Sequence, residues 1–162
     1  MEVHVARQPI FNVDKKVIGY ELLFRNGTGD FFPGSDRDQA TADVINSSFF
    51  LKIVDDLAGG KKAFVNFTPR LVKQEMMTIL PAKVLAVEFS ETVDADPDVV
   101  AACRHLKEKG YMVVLDDFVY HKASAEILKL VDMVKVDLIK TKEAERKAIA
   151  AQLAPMGVAL LA

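Results

Sequence analysis

From residue 40 onward the sequence switches repeatedly between helical spacing and short apolar runs. Ala42, Ile45, Phe49, Ile53 and Leu57 recur at intervals of three and four and stop at Gly59-Gly60, which predicts an amphipathic helix closed by glycine. Residues 63–67 form a short apolar strand, and Pro69 opens a helix through Leu71, Val72 and Met76. Residues 84–89 read as the next strand. Asp96-Pro97 supplies an N-cap with proline at the first helical position, and that helix runs to Lys109 and stops at Gly110. A strand over 112–115, a helix over 126–131 and a strand over 133–136 follow. Thr141 then caps a helix reaching Leu153, and 157–162 begins one more strand. Ahead of this series, 3–10 and 17–24 pair as a hairpin around Asn12-Val13-Asp14-Lys15-Lys16.

Alternation with short connections implies parallel strands joined by crossover helices. The strands are rich in valine and leucine, as expected when both faces are covered. A doubly wound open sheet and a closed barrel both satisfy this order. No glycine-rich dinucleotide loop follows any strand, which weakens the first. The polar residues favour the second. Asn66 sits between Val65 and Phe67, Glu88 between Val87 and Phe89, and Lys135 between Val134 and Val136, while Asp116 and Asp117 follow Val113-Val114-Leu115. Functional groups spread over the ends of several strands mark the C-terminal face of a barrel.

The chain has 162 residues, of which 51% are hydrophobic and 27% charged, enough for one domain with a real core. A net charge of −2 argues against binding a nucleic-acid polymer. One cysteine, Cys103, builds no disulfide framework, and its helical spacing with Val100 and Leu106 makes it a buried thiol. The N-terminus lacks a signal-peptide pattern, and no apolar run approaches the ~20 residues of a membrane span. A cytoplasmic location without membrane attachment is the expectation. His4, His105 and His121 share no metal-ligand spacing.

A charge among apolar strand neighbours costs several kcal/mol if buried unpaired, on the order of 3–5. Glu21, Asn66, Glu88, Asp116, Asp117 and Lys135 recur in successive units, so the economical expectation is that they meet. Converging carboxylates need cations among them. Oxygen-rich donors favour Mg²⁺, Mn²⁺ or Ca²⁺ over zinc, and two metals about 4 Å apart suit in-line attack of water on a phosphodiester. Lys135 would orient that water or neutralise charge on the phosphate. Asp137 reads equally as a ligand or as a partner of Lys135. Glu91 reads as a loop carboxylate, and Arg25 either grips a phosphate or pairs with a nearby acid.

These segments carry a family resemblance. Gln8-Pro9-Ile10, Tyr20-Glu21-Leu22-Leu23-Phe24-Arg25, Val65-Asn66-Phe67-Thr68-Pro69, Val87-Glu88-Phe89-Ser90-Glu91, Leu115-Asp116-Asp117-Phe118 and Val134-Lys135-Val136-Asp137 resemble, in order and spacing, the QPI, ExLxR, VNLSP, LELTE, LDDF and IKID segments of the EAL domain. That family hydrolyses or binds the bacterial messenger cyclic di-GMP. The resemblance implies an α/β fold, a partial TIM-like (β/α) barrel of EAL type whose first strand runs antiparallel to the rest. It implies Mg²⁺ or Mn²⁺ as cofactor, with Glu21, Asn66, Glu88 and Asp116 at a first metal and Asp117 at a second. Lys135 and Glu21 would be catalytic, Arg25 and Gln8 would face the ligand, and Glu91, with Asp137, would support the loops. The wording of Arg7-Gln8-Pro9-Ile10-Phe11-Asn12 and Asp116-Asp117-Phe118-Val119-Tyr120-His121 resembles the subgroup in which an HDOD domain, a helical signalling module, follows in the same chain.

Two departures bear on activity. Family members with activity have a glycine-rich segment after LDDF, where this chain has Val119-Tyr120-His121-Lys122-Ala123-Ser124. A stiffer loop and impaired second-metal binding are expected. A full barrel of this type needs about 250 residues, so residues 1–162 correspond to the N-terminal part of one EAL domain, incomplete at its C-terminal end. An uncovered strand edge near 157–162 predicts a homodimer. A degenerate domain that binds cyclic di-GMP or a protein partner is favoured over an active phosphodiesterase releasing linear pGpG. An unrelated acidic-metal barrel acting on a small anion is a third class.

Overall fold

A computed structural model describes residues 3–26, 48–73, 76–90, 97–118 and 125–162. They fall into two compact units, Met1–Val87 and Glu88–Ala162. Glu91, the Asp96 cap, residues 119–124 and the expected helix before Ser48 lie outside the described residues.

In the first unit, β1 (Val3–Phe11) and β2 (Val17–Asn26) form the expected antiparallel hairpin, with Gln8 opposite Glu21. Asn12 shapes the turn: its side-chain carbonyl accepts from the amides of Asp14 at 3.1 Å and Lys16 at 2.9 Å, the local bonding that suits asparagine to turns. β3 (Lys62–Asn66) runs parallel to β2, with Glu21 beside Phe64. Gly19 permits that approach. A Cβ there would lie 2.5 Å from Phe64 Cε2 and 2.7 Å from the Lys62 carbonyl oxygen. Helix α1 (Ser48–Ala58) buries Val54 and Ala58 and leads into Gly59, at a φ of 56°. Arg7 donates to the Leu57 carbonyl at 2.8 Å and lies over the Tyr20 ring.

Of the helix expected through Met76, residues 74–75 lie outside the described residues. Helix α2 (Pro69–Lys73) starts with Thr68 capping it, and a separate 3-10 turn spans Met76–Ile79. Leu71, Val72, Met77 and Leu80 are all buried.

β4 (Leu85–Ser90) contains the division between the units. In the second unit α3 (Pro97–Glu108) buries Val99, Val100, Ala102, Cys103 and Leu106. It ends in a Schellman closure, with Tyr111 N–H donating to Leu106 and Gly110 N–H to Lys107. Burial pushes the Cys103 thiol up to about 12, as fits an inert core thiol. β5 (Met112–Asp116) follows. Asp132 ties it to α3 by accepting from the Val113 amide at 2.9 Å and pairing with Lys107.

Helix α4 (Ala125–Leu128) is shorter than expected; residues 129–131 close in turn bonds back to Glu126 and Ile127. β6 (Met133–Lys135) runs parallel to β5, and β7 (Ala159–Leu161) parallel to β6. Between them lies α5 (Glu143–Leu153). Thr141 is not its cap. The Thr141 hydroxyl donates to the Asp137 carbonyl at 2.5 Å, while the Glu145 carboxylate accepts from the Lys142 amide at 2.8 Å.

The seven strands are hydrogen-bonded in chain order, β1 to β7. A doubly wound sheet reverses its order at a switch point, so chain-order pairing decides for the barrel-type winding, with the antiparallel first strand as expected. The strands bury Ala63, Phe64, Val65, Leu85, Ala86, Val87, Val113, Val114 and Val134 to 1% exposure or less, consistent with both faces being covered. No helix among the described residues is long and apolar enough to cross a membrane.

Candidate functional site

The second unit gathers charge at the ends of three strands. Glu88 is buried within β4, Asp116 is the last residue of β5, and Lys135 the last of β6. The Lys135 ammonium lies 2.8 Å from Glu88 Oε1 and 4.0 Å from Asp116 Oδ1. Glu88 and Asp116 present carboxylate oxygens within 4.8 Å of each other. Two carboxylates around one ammonium leave one negative charge. In a site this dry such a charge attracts a cation more strongly than it would in water. The donors are hard oxygens, which suit a hard divalent cation.

Asp117 follows at once but points elsewhere. Its φ is 54°, in the left-handed region that costs a non-glycine residue energy. Two bonds hold the kink: the Asp117 amide donates to Asp116 Oδ1 at 3.0 Å, and the Phe118 amide donates to the Lys135 carbonyl at 3.1 Å. Phe118 is buried and Asp117 is turned toward solvent. There the Lys140 ammonium meets Asp117 Oδ2 at 2.8 Å and Asp137 Oδ2 at 3.5 Å.

Asp137 is fixed from below. Its Oδ1 accepts from the amides of Ile139 at 2.7 Å and Lys140 at 3.2 Å. These bonds, then Lys140, hold its carboxyl below the ordinary aspartate range. The Asp117 contact holds the Lys140 ammonium above the ordinary lysine value, with Asp137 adding to it.

In the first unit, Glu21 lies mid-strand in β2, half-buried, with Gln8 opposite it on β1 and exposed. Asn66 ends β3 and is exposed. Arg25 lies on β2 opposite His4. Glu91 lies outside the described residues.

Lys140 is the residue that the sequence did not single out. Its spacing from Asp137 could have flagged an i,i+3 pair. Its contact with Asp117, 23 positions away in the chain, leaves no local signal.

No family model matches the chain. The Bacillus subtilis (strain 168) protein YuxH is 36% identical over the whole chain. The Vibrio cholerae (serotype O1, El Tor Inaba N16961) cyclic di-GMP phosphodiesterase CdgJ is 36% identical over 84% of it. The solved structure of Bacillus subtilis YkuI, a protein with an EAL domain, in complex with c-di-GMP and calcium, superposes with a TM-score of 0.69 over 98% of this chain and 48% of that one, at 18% identity. The chain has the fold of EAL domains and is related in sequence to a cyclic di-GMP phosphodiesterase. The chain spans 41% of the length of YuxH and 32% of that of CdgJ. Within it, the segments around Glu88, Asp116 and Lys135 are the ones whose side chains meet in the second unit.

Proposed function

We propose that this EAL domain recognises cyclic di-GMP in a bacterial signalling protein and is degenerate as a phosphodiesterase. The observation that carries this is the cluster of buried Glu88 and Lys135 with half-buried Asp116, which keeps the charges that would receive a cation and a phosphate. Glu88 and Asp116 would hold one Mg²⁺ or Mn²⁺ ion, and Glu21 and Asn66, on neighbouring parallel strands of the first unit, keep the metal-ligand roles that the family resemblance gives them. When bound, that ion supplies Lewis-acid polarisation of a phosphate oxygen. Lys135 then holds the phosphate, or a water beside it, by charge and by donated protons. Arg25 and Gln8 would face the ligand, and Glu91 and Asp137 would steady the loops.

Degeneracy rests on the non-glycine segment after Phe118. An HDOD-like domain in the parent chain, a cytoplasmic location and a homodimer belong to the same proposal. The alternative, an active enzyme releasing linear pGpG, is favoured by the retention of Lys135. A chromatographic assay of cyclic di-GMP with Mn²⁺ and the full-length parent separates the two. The degenerate domain gives no linear product. Product formation that Lys135→Ala abolishes would overturn this assignment.

A further inference from the structure

Asp117 is the carboxylate that the family resemblance assigns to a second cation, and here its side chain already faces a cation that belongs to the protein. Lys140 Nζ lies 2.8 Å from Asp117 Oδ2 and 3.5 Å from Asp137 Oδ2. We infer that the Lys140 ammonium is a built-in substitute for a second divalent cation, so that this domain takes up a single metal ion. The inference rests on the proposal that Glu88 and Asp116 hold the first.

Three features make Lys140 more than a passing surface contact. Asp137, its second anchor, is immobilised by the Ile139 and Lys140 amides, so half of the ammonium's cradle is pre-formed. The Asp137 carbonyl is itself fixed by the Thr141 amide at 3.0 Å and the Thr141 hydroxyl at 2.5 Å, which sets the turn that carries Lys140. Asp117 is held in its left-handed conformation by bonds at both of its neighbours, so its carboxylate is presented on the same side as the turn.

A divalent ion at Asp117 would have to displace the ammonium or bind beside a like charge. Lys140 is 65% exposed. An exposed pair of this kind is individually weak, so the barrier is a loss of affinity that mutation can recover, not an absolute block. A lysine that merely decorates the surface would leave the metal count untouched.

Mn²⁺ binding to the intact chain, followed by the electron paramagnetic resonance signal of free Mn²⁺, tests this without reference to activity. The wild type is expected to bind one ion. Lys140→Met should bind two, the second up to about fivefold more tightly than any second ion on the wild type. Lys140→Arg, which keeps the charge, should return to one. Lys147→Met removes an equal charge from α5, where Lys147 pairs with Glu143, and should leave the count at one. Two ions on the wild type, or one on Lys140→Met, would overturn the inference while leaving the first site intact. No Mn²⁺ bound by any of them would overturn the metal assignment of Glu88 and Asp116, and this inference with it.

Discussion

Lys135 Nζ lies 2.8 Å from Oε1 of Glu88, a glutamate with no solvent exposure. A buried pair is held as much by the penalty for breaking it as by its own attraction, because either charge alone in the interior is costly. Lys135→Met is therefore expected to lower stability by about 3–5 kcal/mol. The double variant Glu88→Gln/Lys135→Met should lose less than the two single changes summed. Urea unfolding of the four proteins measures this. Additive losses would mean that the two residues do not compensate each other.

Asp137 gives a pH signature. Its carboxyl is held below the ordinary range by the Ile139 amide first, then the Lys140 amide and ammonium. A group whose pKa is lower folded than unfolded stabilises the fold above its unfolded value, near 3.9. That contribution is lost as pH falls through the folded value. Stability of the wild type should therefore fall more steeply below about pH 4 than that of Asp137→Asn, in urea midpoints taken through the acid range. Parallel acid limbs would contradict the assignment. Lys140 has the opposite sign: its raised value stabilises below the ordinary lysine pKa and is lost as pH rises through the folded one.

Gly19 tests the packing of the first unit. The Cβ of alanine would fall 2.5 Å from the Phe64 ring and 2.7 Å from the Lys62 carbonyl. The backbone oxygen cannot turn aside as a side chain can, so β2 and β3 must separate. Gly19→Ala is expected to cost about 1–3 kcal/mol and to lower the midpoint of thermal unfolding. An unchanged midpoint would mean that the two strands are not this close.

Much of this was legible in the sequence because strand ends leave a local trace. A lone Glu88 or Lys135 between apolar neighbours has few explanations other than a buried partner, and each proved to be the other's. Alternation implied parallel strands, and the polar residues near the strand ends favoured winding in chain order over a doubly wound sheet. What stayed hidden was set by contacts distant in the chain. Thr141 looked like a helix cap because its position suits one, yet its hydroxyl serves Asp137. From the sequence Asp137 reads equally as a ligand or as a partner of Lys135, whereas its carboxylate is occupied by two amides and Lys140. Met76, expected at the end of the helix from Pro69, begins a 3-10 turn, because spacing records which residues are buried and not which kind of turn buries them.

Calorimetric titration of cyclic di-GMP into the full-length parent, with and without Mn²⁺, tests the central assignment most directly. Binding that requires Mn²⁺, and that weakens at least about tenfold in a folded Asp116→Asn variant, is the predicted result. Binding of equal strength in wild type and variant, or no binding at all, would contradict it.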